Sequence, residues 1–183
     1  MSLLNTIMKM AGDKALSKVN NHFSELDNDK TENVIGAVLP HLAGALKGNI
    51  GNAEGLQGLM KALESADHSK YIDQPDEITS ENGINEGKAI LGHLLGDKDK
   101  SRAVSAEVAE KTGVDAGMIQ KMLPMLATVL MGTVSKNKST LMGENGNAAT
   151  PKGQSMLMSF LDADNDGSVV DDLLVMAKKR LFS

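Results

Sequence analysis

There is no cysteine in this chain of 183 residues. Disulfides, thiolate metal sites and cysteine nucleophiles are therefore excluded by composition alone. Tryptophan is absent too, and aromatic residues make up 2% of the sequence, namely Phe23, Tyr71, Phe160 and Phe182. That supply is too thin for stacking platforms against bases or sugar rings. Nor is there an excess of positive charge: the formal net charge is −5 and the pI about 5.4. Phosphate backbones and anionic membrane surfaces call for basic faces, so a nucleic-acid role is disfavoured on both counts. No run of about 18 apolar residues occurs, the length a membrane-spanning helix needs. The opening MSLLNTIMKMAGDKA lacks a charged leader, a sustained apolar stretch and a small-residue cleavage site. With no address visible, cytoplasmic is the default expectation.

What is present is the pattern of a globular helical protein. Hydrophobic residues reach 41% against 23% charged, enough to build a core. Leu3, Leu4, Ile7, Met8, Ala11, Ala15, Leu16 and Val19 fall at the three- and four-residue spacings of one helical face. A polar stretch over 27–33 is expected to interrupt it. Further helices are predicted over 34–47, closed by Gly48 and Asn49, and over 53–66. Residues 67–86 read as a polar connector with Pro75 and the turn pair Asn82 and Gly83. Helices over 88–95 and 101–112 follow, stopped by Gly96 and Gly113, and Asp115 is placed to cap a helix running to about residue 135. A second connector spans 136–152, and the last helical segments cover 154–161 and 172–181. No stretch alternates with period two, so no sheet is predicted.

Two internal likenesses organise the chain. VIGAVLPHLAGALKG at 34–48 and MIQKMLPMLATVLMG at 118–132 share seven of fifteen positions when Pro40 is set on Pro124. A weaker pair is GKAILGHLLG at 87–96 and GQSMLMSFLD at 153–162. The copies lie too far apart for a solenoid, so the expected fold class is all-α, a compact multihelical bundle with internally duplicated helical segments. Its expected parts are an N-terminal helical module over 1–66, a second module over 83–135 packed on the first, and a helix-loop-helix over 153–183. Each proline removes a helical hydrogen bond, so each repeat is predicted either to kink there or to break into two helices.

GKAILGHLLG, then the helix end Thr112, Gly113, Val114, Asp115, then MLPMLATVLMG at 122–132, resemble the YidB-like family of bacterial proteins of unknown function. LDADNDGSVVDDLL at 161–174 is similar to the Asp-rich ending of many members. The resemblance covers mainly 83–135 and 153–176. It implies a compact helical bundle, and it brings no catalytic residues with it.

The acidic loop over 162–172 is where the sequence carries metal chemistry. Numbered as an EF-hand, Asp162, Asp164 and Asp166 take the first three ligand positions, Gly167 the sharp turn, and Ser168 the backbone-carbonyl position. The closing bidentate acid is missing, since Leu173 stands there. A loop one residue shorter brings Asp172 in instead, which makes a weak Ca²⁺ site, with a dissociation constant on the order of 10⁻⁴ M. The alternative needs no metal: Asp and Asn form their own turns, Gly167 supplies the positive φ, and Asp171 or Asp172 caps the last helix. No other cofactor is indicated.

His22, His41, His68 and His93 show no metal-ligand spacing on a helix face, and there is no nucleophile elbow, P-loop or dinucleotide motif. Met118, Met122 and Met125 form a helical stripe that reads as core, with a partner-helix interface as the sharper alternative. The expected function is a non-enzymatic helical structural or interaction module with an unidentified protein partner, loaded at its end if the acidic loop takes calcium. The alternative is an enzyme whose site assembles from dispersed residues. That reading requires at least two of His41, His93, Glu86 and Glu107 to converge in a pocket with strongly shifted pKa values.

Overall fold

A computed structural model describes residues 13–137. The helices are α1 (Asp13–His22), α2 (Asn28–Ile50), α3 (Ala53–Ser65), α4 (Lys70–Asp73), α5 (Glu81–Leu95), α6 (Lys98–Thr112) and α7 (Ala116–Lys136), with a 3-10 turn at Pro75–Thr79 before α5. No strand occurs among the described residues. The chain is an all-α, compact multihelical bundle.

The centre is α7. Every residue from Met122 to Val134 is buried, as is Ile119. A helix apolar on all sides has to be surrounded, and α1, α2, α4, α5 and α6 all pack on it. Among the described residues it is the one helix long and apolar enough to cross a bilayer by length and composition, and 78% of its most apolar window lies buried inside the bundle. The methionine stripe divides: Met122 and Met125 are core, while Met118 packs at its edge.

Helix ends follow the local chemistry. The side chains of Asn52, Ser80, Asp97 and Asp115 accept hydrogen bonds from the amides of Gly55, Gly83, Lys100 and Met118, each satisfying an orphan donor of a first turn. Gly96 and Gly113 close α5 and α6 with φ of 86° and 70°, which a residue bearing a Cβ resists. Asn49, expected to stop α2, does more. Its Nδ2 donates to the carbonyls of His93 and Leu94 at 3.2 and 3.1 Å, so one side chain of α2 satisfies the C-terminal carbonyls of α5.

Three expectations are corrected. The interruption after the first helix falls at 23–27 and not at 27–33, because α2 begins at Asn28; Thr31 is buried there and its hydroxyl donates to the Asp27 carbonyl. The polar connector over 67–86 is largely helical, because it carries Tyr71, Ile72 and Ile78 into the core. Asn82 and Gly83 are not a turn but the first turn of α5, and a Cβ on Gly83 would lie 1.9 Å from the Glu77 carbonyl oxygen.

Of the two outcomes foreseen at the prolines, the break does not occur: α2 and α7 each run through their proline as one helix. The matched positions Ile35, Leu39, Leu42, Ala43 and Leu46 are buried, as are Ile119, Leu123, Leu126, Ala127 and Leu130. The environments part company at the other two. Pro40 is exposed and Pro124 buried; a Cβ on Gly48 would meet open space, whereas one on Gly132 would lie 2.9 Å from the His68 carbonyl.

Candidate functional site

The polar residues that the fold brings together lie around Glu86. From α5 its carboxylate reaches the segment that holds His68, Lys70 and Tyr71. The buried Tyr71 hydroxyl donates to Oε2. Lys70 Nζ donates to Oε1 at 3.2 Å and lies 4.8 Å from the centre of the Tyr71 ring. His68, only 6% exposed, stacks along Tyr71 with ring centres 6.4 Å apart and brings Nδ1 to 3.8 Å from Oε2. That nitrogen is buried and has no hydrogen-bond partner among the described residues.

Each ionisable group there responds to the others. Burial pushes the His68 imidazole below its ordinary value, against the pull of the Glu86 charge and a hydrogen bond to the Ala62 backbone. Burial works to raise the Glu86 carboxyl, but hydrogen bonds from Tyr71 and Lys70 outweigh it and hold the group below the usual carboxylate range. Tyr71 is driven well above the ordinary phenol value by burial and then by its bond to Glu86. The cluster is a neutral imidazole beside a carboxylate already occupied by a phenol and an ammonium.

The residues named for an enzymatic site are distributed over three places. His41 of α2 and Glu107 of α6 do meet, Nε2 to Oε1 at 3.5 Å, and Lys111 also bonds Glu107 at 2.6 Å. The Lys111 hydrogen bond first, and the His41 charge second, lower the Glu107 carboxyl from its ordinary value. Glu86 belongs to the buried cluster. His93 lines a groove. Among the described residues no group of three or more His, Asp or Glu is arranged to hold a metal ion. The loop residues Asp162, Asp164, Asp166, Ser168 and Asp172 lie outside the described residues, as does the whole C-terminal helix-loop-helix over 153–183.

Two grooves flank α5, on different faces of that helix. One, of about 430 Å³, runs between α2, α3 and α5 over Met131 of α7. Its floor is Leu46, Leu59, Ile90 and Leu94, and its rim Asn49, Asn52, Glu54 and His93. The α3 wall presents Gly55 and Gly58, and a Cβ on Gly58 would meet nothing within 4 Å. The other groove, of about 370 Å³, lies between α5, α6 and α7 and is bordered by Lys88, Lys98 and Arg102. The sequence reading named Glu86 and His93 but missed Lys70, Tyr71 and the basic groove. The sole tyrosine of an aromatic-poor chain was the available signal for the cluster.

The family described as bacterial protein of unknown function (DUF937), often called YidB-like, matches residues 5–137. The match takes in residues 5–82, ahead of the motifs at 83–135 that carry the resemblance, and ends before the acidic loop. No curated protein and no solved structure matches the chain. With well over half of the sequence inside that match, the chain belongs to the YidB-like family.

Proposed function

We propose that this protein is a non-enzymatic interaction module whose groove between α2, α3 and α5 receives an apolar helix face of a protein partner. The observation that carries the reading is the construction of that groove. Helix α3 packs chiefly on α2, so a groove remains between α3 and α5 above the core residues Leu46, Leu59, Ile90 and Leu94. Gly58 on the α3 wall, whose missing Cβ would meet nothing within 4 Å, leaves room for a ligand backbone or side chain, which is how an amphipathic helix is commonly received. The rim offers Glu54 and neutral amides on a chain of net charge −5, so the partner helix carries basic residues beside its apolar face. The shared core pattern of 34–48 and 118–132 fits a duplicated origin for the two helices that underlie the groove.

Titration of the labelled protein with a model helix of leucine on one face and lysine on the other tests this. Saturable amide shifts are expected at Asn49, Gly55, Gly58 and His93, with a leucine–glutamate helix binding at least tenfold more weakly. Gly58→Leu should remove the shifts without loss of folding, because a side chain there enters open space and a helix gains up to about 1 kcal/mol when it loses an interior glycine. Shifts scattered over the surface, or unaffected by Gly58→Leu, defeat the proposal.

Calcium at Asp162, Asp164, Asp166, Ser168 and Asp172 belongs to the same proposal and rests on the sequence pattern. Calorimetry at millimolar Ca²⁺ should give saturable heat that the Asp162→Ala, Asp166→Ala double variant lacks. Absence of heat in the wild type leaves the self-capped turn as the reading.

A further inference from the structure

The basic groove shares α5 with the apolar one but none of its lining residues, and its chemistry is different. Three cations border it, from two helices: Lys88 on α5, Lys98 and Arg102 on α6. The sole carboxylate in its lining is Asp97, whose Oδ1 is engaged by the Lys100 amide at 2.7 Å as the cap of α6. Arg102 reaches Asp99 at 3.2 Å, in a pair whose side chains are 67% and 90% exposed, and such pairs yield readily to a better acceptor. Among the described residues Lys88 and Lys98 have no acidic partner within ion-pair distance. Two unpaired ammonium groups beside a third cation on one concavity are costly by repulsion, and here they occur in a protein with an excess of acids.

The walls between these cations are apolar. Leu91 and Pro124 form them, with Leu123 fully buried behind, so the groove offers a ring of positive charge at its edge and hydrocarbon within. We infer that it binds a small phosphate ester: the phosphate is held by Lys88, Lys98 and Arg102, and the apolar body of the molecule lies on Leu91 and Pro124. Arginine takes two phosphate oxygens at once through its planar fork, and the two ammonium groups complete the charge. A lipid headgroup and a soluble ester share this chemistry.

The probe is phenyl phosphate, titrated into the full-length labelled protein at low ionic strength. Expected are saturable shifts of the Gly92, Lys98 and Ser101 amides, weakening as salt is raised. The Lys88→Glu, Lys98→Glu double variant should bind at least tenfold more weakly. Both side chains are exposed, so its melting temperature should stay close to that of the wild type, and phenol in place of phenyl phosphate should bind at least tenfold more weakly. Phosphatidylcholine vesicles with and without phosphatidic acid distinguish the source. Sedimentation with the acidic vesicles that the double variant loses assigns the phosphate to a lipid; no sedimentation assigns it to a soluble ester. If neither phenyl phosphate nor the vesicles bind in a manner that the double variant abolishes, the inference is overturned. Neither result touches the apolar groove, so this site stands or falls by itself.

Discussion

Burial holds the His68 imidazole neutral at pH values where an exposed histidine is already taking up a proton, and the stability of the fold depends on pH through that preference. The folded-state value lies below the unfolded one of about 6.5. Between the two values the unfolded chain binds the proton more readily. Stability is therefore complete above about pH 6.5 and falls as pH drops below it, by up to about 1.4 kcal/mol per unit, until the folded-state value is reached. The groups facing the ring are Glu86 and Asp67, which favour its charge, and Lys70, which opposes it. Glu86 itself is held below its ordinary value. Its contribution is present above the unfolded carboxylate value and disappears only as pH falls through the lower folded one, so the two windows separate. Urea unfolding between pH 5.5 and 7.5 should show the acid-side loss in the wild type and a flatter profile in His68→Gln. An equal slope in both proteins rules out His68 as its source.

At the scale of elements, α5 and α7 approach each other closely. A Cβ on Gly87 would lie 2.3 Å from the Pro124 carbonyl oxygen and 2.6 Å from Thr128 Oγ1, so Gly87→Ala forces the helices apart. Overpacking of this kind costs about 1–3 kcal/mol, which outweighs the roughly 1 kcal/mol that alanine adds to a helix. Gly92, one turn and a half along the same helix, has nothing within 4 Å of its missing Cβ. Gly92→Ala should stabilise by up to about 1 kcal/mol. Opposite shifts of the urea midpoint are the expected result, and a Gly87→Ala protein as stable as Gly92→Ala contradicts the packing.

That contrast also shows what a sequence can disclose. Gly96, Gly113 and Asp115 were legible as stops and caps because their roles depend on a few adjacent residues. Gly83 and Gly87 were not, since what they must avoid, the Glu77 and Pro124 carbonyls, belongs to other elements. The start of α2 was misplaced for a related reason. Residues 28–33 are poor helix formers by composition, and burial of Thr31 decides their state. The candidate site followed the same rule. His93 and Glu86 could be picked by type, whereas the company of Glu86 comes from a segment that looked like a polar connector. Convergence of Lys88, Lys98 and Arg102 needs the turn between α5 and α6, which no periodicity contains.

For the whole molecule, the question is whether the two helical halves hold together as one cooperative body. A continuous core draws Val34, Leu42 and Leu46 from one half and Leu94, Ile119 and Leu126 from the other. The halves are also tied by polar contacts that cross between them: Asn49 to the end of α5 and His41 to Glu107. Leu42 is fully buried on α2, a helix that packs on both α6 and α7. Leu42→Ala removes apolar contacts and leaves a cavity, a loss of about 2–5 kcal/mol. If the core is one unit, that loss is felt equally by residues far along the chain. Far-UV circular dichroism, which averages over all helices, and hydrogen exchange at the amides of α6, read separately, should then report the same drop in free energy. A shift confined to the helices before residue 66, with α6 protected as in the wild type, means that the second half keeps its structure alone and that its interior does not depend on α2.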